Sequence, residues 1–335
     1  MATIVIMAGL IFGLRQEIGD VISDLGRVNA FALLIIIPIE VLNYDAYVRL
    51  YRSFFAILKE KLNYWTTYKI CLEMNFVNHI LPSGGVSGIS YFSLRMRTQG
   101  ISTPKSTLAQ MMKFLLLFVS YQPILILGLV LLAIGGHVNN LILVVTTAII
   151  TALVIGTGAA IYILESRSRI NNFLLSATRV INRIIHIIRP HKKETFSLEK
   201  AKKSFDELHE NYNVLKQNWR QLKKPFFFTM VANATEVAAL YMVYVAFGEF
   251  VNIGAVILAY AVANFAGLIS VLPAGIGIYE GLMTAVLVAS GIPAAVTIPV
   301  TIMYRVVMMT IQLGPGYYFY QKALKDGIIP AQIKT

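Results

Sequence analysis

Charged side chains inside apolar runs are costly, so they are the first candidates for a site. Lys113 and Arg305 are lone basic residues in such runs, and each follows an interruption rich in proline and glycine. The interruptions read Leu81-Pro82-Ser83-Gly84-Gly85 and Leu272-Pro273-Ala274-Gly275-Ile276-Gly277. From each proline it is 18 residues to a Gly-Ile pair, Gly100-Ile101 and Gly291-Ile292; the basic residue follows 13 residues later in one case and 14 in the other. Proline removes an amide donor and glycine weakens helix continuity, so each interruption should break a helix and expose the amides of a new N-terminus. Such amides, at the positive end of a helix dipole, suit an anion. A full charge from Lys113 and Arg305 would make the site fit for a phosphate.

The candidate lipid-binding residues are therefore Asn78, Pro82, Ser83, Gly84, Gly85 and Lys113 in the first stretch, and Pro273, Gly275, Gly277, Glu280 and Arg305 in the second. Asn75 and Asn264 add uncharged donors. Glu280 would repel a phosphate if ionised and alone, so it should be paired or protonated; the obvious partner is Arg305. Two readings stand for each cation: Lys113 faces the site or snorkels to the interface, and Arg305 holds the ligand or only neutralises Glu280. Glu40, Glu73 and Glu236 are further acidic residues in or near apolar runs, whereas Asp45 and Arg49, at i and i+4, suit a local pair.

Enzymatic patterns are weak. His79, His137, His186, His191 and His209 show no HExxH or similar spacing, and neither a GxSxG elbow nor a P-loop occurs. The expectation is a protein without catalytic residues, metal or cofactor. One cysteine, Cys71, excludes an internal disulfide.

The elements that must carry these residues are membrane helices. Hydrophobic residues make up 57% of the chain, charged residues 14%, and the mean hydropathy is +0.67, values outside the soluble range. We expect an all-α polytopic membrane protein of about six spans plus two re-entrant broken-helix hairpins. Residues 1–14 make a short first span, and 15–27 an amphipathic interfacial helix. Residues 28–50 span and end in Arg49, Arg52, Lys59 and Lys61, which places that end in the cytoplasm. The first broken segment, 66–94, is followed by Arg95, Arg97 and Lys105, so it should leave and re-enter on the cytoplasmic side. Spans 106–134 and 140–164 follow, joined by a segment without lysine or arginine. Span 225–247, a second broken segment over 253–290 and span 294–320 complete the chain. The flanks of the second hairpin lack basic residues, so it should enter from the exterior. Units 28–134 and 225–320 then form an inverted-topology repeat within a single transmembrane domain, with both termini cytoplasmic.

Residues 166–224 hold 14 Lys/Arg against 5 Asp/Glu, a net of +9 out of the formal +12 of the whole chain. Isoleucines at helical spacing alternate with arginines over 179–189, the pattern of amphipathic helices on an anionic leaflet. Nucleic acid is the competing partner for such a segment, but no nucleic-acid motif occurs and the flanking spans hold it at the membrane.

Two stretches carry a resemblance: NHILPSGGVSGISYFSLRMRTQGIS, and LPAGIGIYEG followed by GIP and MYR. They resemble the lysylphosphatidylglycerol synthase/flippase transmembrane-domain family, over most of the chain. Met112-Lys113 stands where that family typically has Glu-Arg. The resemblance implies the moving or handling of lipids such as aminoacylated phosphatidylglycerol. In bifunctional members a soluble aminoacyltransferase domain follows; none is seen before Thr335, so synthase activity is not expected. The leading expectation is a lipid translocase of the cytoplasmic membrane acting on a phospholipid or lipid-linked headgroup. The alternative is a membrane subunit or scaffold for a separate lipid-modifying enzyme, and an integral-membrane glycosyl- or aminoacyl-transferase comes third. Candidate protein partners are a second copy of the chain or such an enzyme.

Overall fold

The computed structural model describes residues 28–80, 86–172, 175–176, 198–269 and 277–329. The expected first span and interfacial helix, the arginine-rich stretch 179–189, and the two interruptions carrying Pro82 to Gly85 and Pro273 to Gly275 lie outside the described residues.

The protein is an all-α polytopic membrane protein. Its helices are α1 (Ala30–Leu34), α2 (Ile36–Ile57), α3 (Tyr64–Ile80), α4 (Val86–Arg97), α5 (Thr103–Ile134), α6 (Asn140–Leu164), α7 (Leu198–Gln217), α8 (Lys223–Ala246), α9 (Ile253–Ile269), α10 (Ile278–Ala289) and α11 (Ala294–Lys325), with a 3₁₀ turn at Trp219–Leu222 before α8. Among the described residues, 5 helical stretches are long and apolar enough to cross a membrane: Ala30–Ile57, Thr103–Ile134, Asn140–Leu164, Trp219–Ala246 and Ala294–Lys325. The expected span over 28–50 is longer than its sequence suggested. Arg49 and Arg52 do not end it, because their aliphatic stems continue the helical surface while their charged heads reach outward. The helix ends only where Lys59 takes a left-handed φ of 62°.

Helices α2 and α8 pack along much of their length. They run antiparallel: the Asn29 amide donates to the Ala246 carbonyl at 2.8 Å, and farther along the Asn43 side chain donates to the Ala232 carbonyl at 3.0 Å and to Thr235 Oγ1 at 2.9 Å. Around this axis the hairpins exchange partners. The first hairpin limb, α3, packs on α11, and the corresponding limb of the second, α9, packs on α5. Small residues permit the close approach that membrane helices need. At Gly316 a Cβ would come within 2.7 Å of the Leu72 carbonyl oxygen, and at Gly128 within 2.7 Å of Ile257 Cγ2.

The two hairpins open at opposite ends of the bundle. Near the open end of α3 and α4, Lys105 pairs with Glu60 at 2.5 Å and Ser102 donates to Glu207 of α7 at 2.5 Å. At the other end, the Asn139 side chain donates to the Ala289 carbonyl at 2.7 Å and the Asn252 side chain to the Leu131 carbonyl at 3.2 Å, which brings the ends of α5, α9 and α10 together.

Arg95, counted in the sequence with the basic residues after the first broken segment, has a second role: it is 4% exposed and forms a two-pronged ion pair with Glu73, Nε to Oε2 at 2.6 Å and Nη2 to Oε1 at 3.2 Å. The Tyr91 hydroxyl donates to the same carboxylate at 2.8 Å. A buried carboxylate on α3 needs a partner, and α4 supplies it when the hairpin closes. The pair therefore clamps the two limbs. A second tie lies deeper, where the Gly88 amide donates to Asn78 Oδ1 at 2.9 Å; a Cβ at Gly88 would overlap that side chain.

Candidate functional site: a polar cavity joined to an apolar groove

A cavity of about 220 Å³ lies among α2, α3, α5, α8, α9, α10 and α11. Both units contribute to its wall. From the first come Tyr44 and Tyr47 of α2, Asn75, Asn78 and His79 of α3, and Lys113 of α5; from the second come Glu236 of α8, Asn264 of α9, Tyr279 of α10, and Tyr304, Arg305 and Gln312 of α11. Tyr44, Glu236 and the 304–312 stretch stand in the middle parts of their long helices, so the cavity sits deep in the bundle.

The two intramembrane cations meet here. Lys113 lines the cavity with its Nζ 5.2 Å from the Tyr47 ring centroid and 5.3 Å from that of Phe114. It is directed into the protein rather than snorkelling, and the aromatic faces partly offset the burial of its charge. Arg305 Nε donates to Glu280 Oε1 at 2.5 Å, and its guanidinium lies 4.6 Å from the centroid of the Tyr279 ring. Glu280 Oε2 accepts from the Gly277 amide at 2.6 Å. Gly277, with φ of 86°, begins α10, so this carboxylate sits on the first turn, where the helix dipole favours negative charge. Glu280 is thus held by two independent partners.

Glu40 and Glu236 are both tied to α11. The Tyr304 hydroxyl is 3.1 Å from Glu236 Oε2, and Gln312 Nε2 donates to Glu40 Oε2 at 3.1 Å. Gln312 also accepts from Asn75 at 3.1 Å, and Asn75 donates to the Tyr44 hydroxyl at 2.7 Å. This network links α2, α3 and α11 across a contact between the two units. Asn264 donates to the Tyr279 hydroxyl at 3.3 Å, joining the limbs of the second hairpin.

A second space of about 380 Å³ opens between α10 and α11. Gly277, Gly281, Ile298, Ile302 and Val306 make most of its wall apolar, with Thr284 and Thr301 between them. Ile278 and Ile298 beside it are 43% and 48% exposed, as expected of a surface facing acyl chains. Arg305 and Met309 border both spaces. The guanidinium therefore stands where a polar chamber meets an apolar groove.

Among the described candidates, Asn78, Lys113 and Arg305 line the polar cavity, while Gly277, Glu280 and Arg305 line the groove. Asn75 and Asn264 lie in the cavity wall as their type suggested, and Asp45 and Arg49 form the expected i, i+4 pair at 2.7 Å. Sequence reasoning missed Gln312, Tyr44, Tyr47, Tyr279 and Tyr304. Gln312 carried a usable signal, an uncharged amide in an apolar run. The tyrosines did not, since most of the chain's 17 tyrosines suit an interface or a core equally well.

A family model described as the lysylphosphatidylglycerol synthase TM region matches residues 1–316. The chain belongs to this family. Within the lysylphosphatidylglycerol synthase TM-region family, the chain is 28% identical over 102 residues to a "UPF0104 membrane protein" of Methanothermobacter thermautotrophicus. That match covers 30% of this chain and 30% of the relative. No solved structure matches the chain.

Proposed function

We propose that this protein is a lipid translocase, carrying a phosphate-bearing headgroup through the polar cavity while the acyl chains remain in the apolar groove. The observation that carries the reading is the position of Arg305 on the border of both spaces. A lipid phosphate at that border would meet the guanidinium, with Lys113 deeper in the chamber and the side-chain amide of Asn78 as a further donor. Glu280 acts as the resident counter-ion: it holds Arg305 in place between ligands and yields it when a phosphate arrives, because the Gly277 amide and the dipole of α10 continue to satisfy the carboxylate. Transport of this kind makes and breaks no covalent bond, so the protein is not an enzyme. The exchange of hairpin partners between antiparallel units supports an inverted repeat, whose two halves can rock about a central site.

Orientation follows from charge. The bundle end holding Lys59, Lys61, Lys105, Lys223 and Lys325 faces the cytoplasm by the positive-inside rule, and the joints at 135–139, 247–252 and 290–293, which contain no lysine or arginine, face the exterior of the cell membrane. In a Cys71→Ala background, a cysteine at Glu249 should react with a membrane-impermeant maleimide in intact cells, and one at Lys59 only after permeabilisation. The reverse pattern would overturn the orientation.

The function is tested in phosphatidylcholine vesicles containing the purified protein and a trace of headgroup-labelled phosphatidylglycerol, with and without an imposed pH gradient. Externally added dithionite should bleach only the outer-leaflet label in protein-free vesicles and nearly all of it when the protein is present. Protection of the inner label under both conditions, relieved only when a partner protein is supplied, would favour the scaffold reading instead.

A further inference from the structure

A third space, of about 640 Å³, lies away from the transport cavity and shares no residue with it. One wall is the last part of α2 with the following loop, contributing Arg49, Arg52, Glu60 and Lys61. The other is the 3₁₀ turn and the start of α8, contributing Arg220, Lys223 and Lys224. Ile57, Leu62 and Phe228 supply apolar lining. We propose that this pocket is a binding site for a ligand bearing at least two phosphates, held between the end of α2 and the start of α8 at the cytoplasmic headgroup level.

The charge balance argues for a ligand rather than an ordinary solvated surface. Six cations converge on one concavity from elements far apart in sequence, and the acid lining it, Glu60, is engaged by Lys105 at 2.5 Å. Arg49 is offset by Asp45 at 2.7 Å. Lys61, Arg220, Lys223 and Lys224 form no ion pair with a described residue. Like charges gathered in this way repel one another unless an anion neutralises them. Arg52 is already posed, with Nε donating to the Leu62 carbonyl at 3.1 Å and its guanidinium 5.7 Å from the centroid of the Tyr64 ring. That leaves its two terminal nitrogens for a phosphate, in the fork geometry that favours bidentate contact.

Nearby Trp65, Trp219 and Phe227 are 67%, 60% and 62% exposed, as aromatic residues at a membrane interface are. Basic pockets between helices on the cytoplasmic side suit multiply charged headgroups. The shared chemistry is a pair of phosphates close together, supplied either by a membrane lipid such as a cardiolipin or by a soluble diphosphate.

The experiment uses the full-length protein in phosphatidylcholine nanodiscs. One arm dopes the discs with cardiolipin, a second with phosphatidylglycerol at matched total charge, and a third adds inorganic pyrophosphate to the buffer. Retained ligand is read by native mass spectrometry, and thermal stability is followed in parallel. We expect cardiolipin or pyrophosphate to bind and to raise the melting temperature, and the arm that responds identifies the source. A Lys61→Gln/Lys223→Gln/Lys224→Gln variant should weaken binding by about tenfold or more, while Lys325→Gln, at an exposed lysine of the same bundle end outside the pocket, should bind like the wild type. Equal binding of cardiolipin and charge-matched phosphatidylglycerol, without any response to pyrophosphate, would reduce the pocket to general leaflet attraction and overturn the proposal. So would unchanged binding by the triple variant. Since the pocket shares no residue with the transport cavity, failure here leaves the translocase reading standing.

Discussion

Arg305→Met should lower lipid movement by about two orders of magnitude while the protein still inserts and folds. Methionine keeps most of the apolar stem and removes the charge together with five N–H donors. The loss matches about 2–3 kcal/mol, the range for a hydrogen bond made by a charged group. The stability cost should be smaller, about 1 kcal/mol. The pair is partly exposed, with side chains 15% and 24% accessible, and Glu280 keeps the Gly277 amide and the N-terminal turn of α10 when the arginine is gone. Glu280→Gln should act in the other direction on binding: with its counter-ion neutralised, Arg305 holds the phosphate longer, so lipid is retained more tightly and turnover slows.

The double variant decides between the two roles of Arg305. If the residue binds phosphate, Arg305→Met/Glu280→Gln remains inactive. If it only neutralises Glu280, Arg305→Met alone unfolds the protein, and the double variant regains stability and transport together. Dithionite bleaching rates and melting temperatures on the four proteins measure both. Wild-type transport by a stable Arg305→Met protein would remove Arg305 from the site.

The largest expected stability effect belongs to Glu73 and Arg95. Their side chains are 2% and 5% exposed, and no bulk water is at hand to compensate a stranded charge. Either Glu73→Gln or Arg95→Met should therefore destabilise the protein by about 3–5 kcal/mol, the range for breaking a buried pair from one side. Glu73→Gln/Arg95→Met should recover a good part of that loss, because it removes both charges. Transport should fall with the single variants and return with the double, since the pair acts by holding α3 against α4 and so by placing Asn75 and Asn78 in the cavity wall. Urea or sodium dodecyl sulfate unfolding of the four proteins gives the coupling directly. Single variants within about 1 kcal/mol of the wild type would mean that the clamp is held by packing instead.

The division between chain and fold follows the range of the forces involved. Spans, breaks and the +9 segment are local properties, each encoded in one run of consecutive residues by hydropathy, by proline and glycine, or by composition. For that reason the ends of α5, α6, α8, α9 and α10 fall within a few residues of their expected places. The Asp45–Arg49 pair was legible because helix geometry alone brings i and i+4 together. The Glu280–Arg305 pair was legible because two opposite charges in neighbouring apolar helices have few other partners.

Contacts between distant elements had no such local signature. Arg95 looked like a cytoplasmic flank until the hairpin closed on Glu73. Lys113 could have snorkelled, and its direction was set by the packing of α5 against α2, which places Tyr47 beside it. The basic pocket joins Arg52 to Lys223, and Gln312 reaches both Asn75 and Glu40, only because α2 and α8 run antiparallel and α11 packs on the first hairpin. Burial of apolar surface is non-directional, so hydropathy says which segments enter the membrane without saying which faces meet. Close packing of small residues, as where Gly316 touches α3 and Gly128 touches α9, chose the faces, and with them which polar groups would share a cavity.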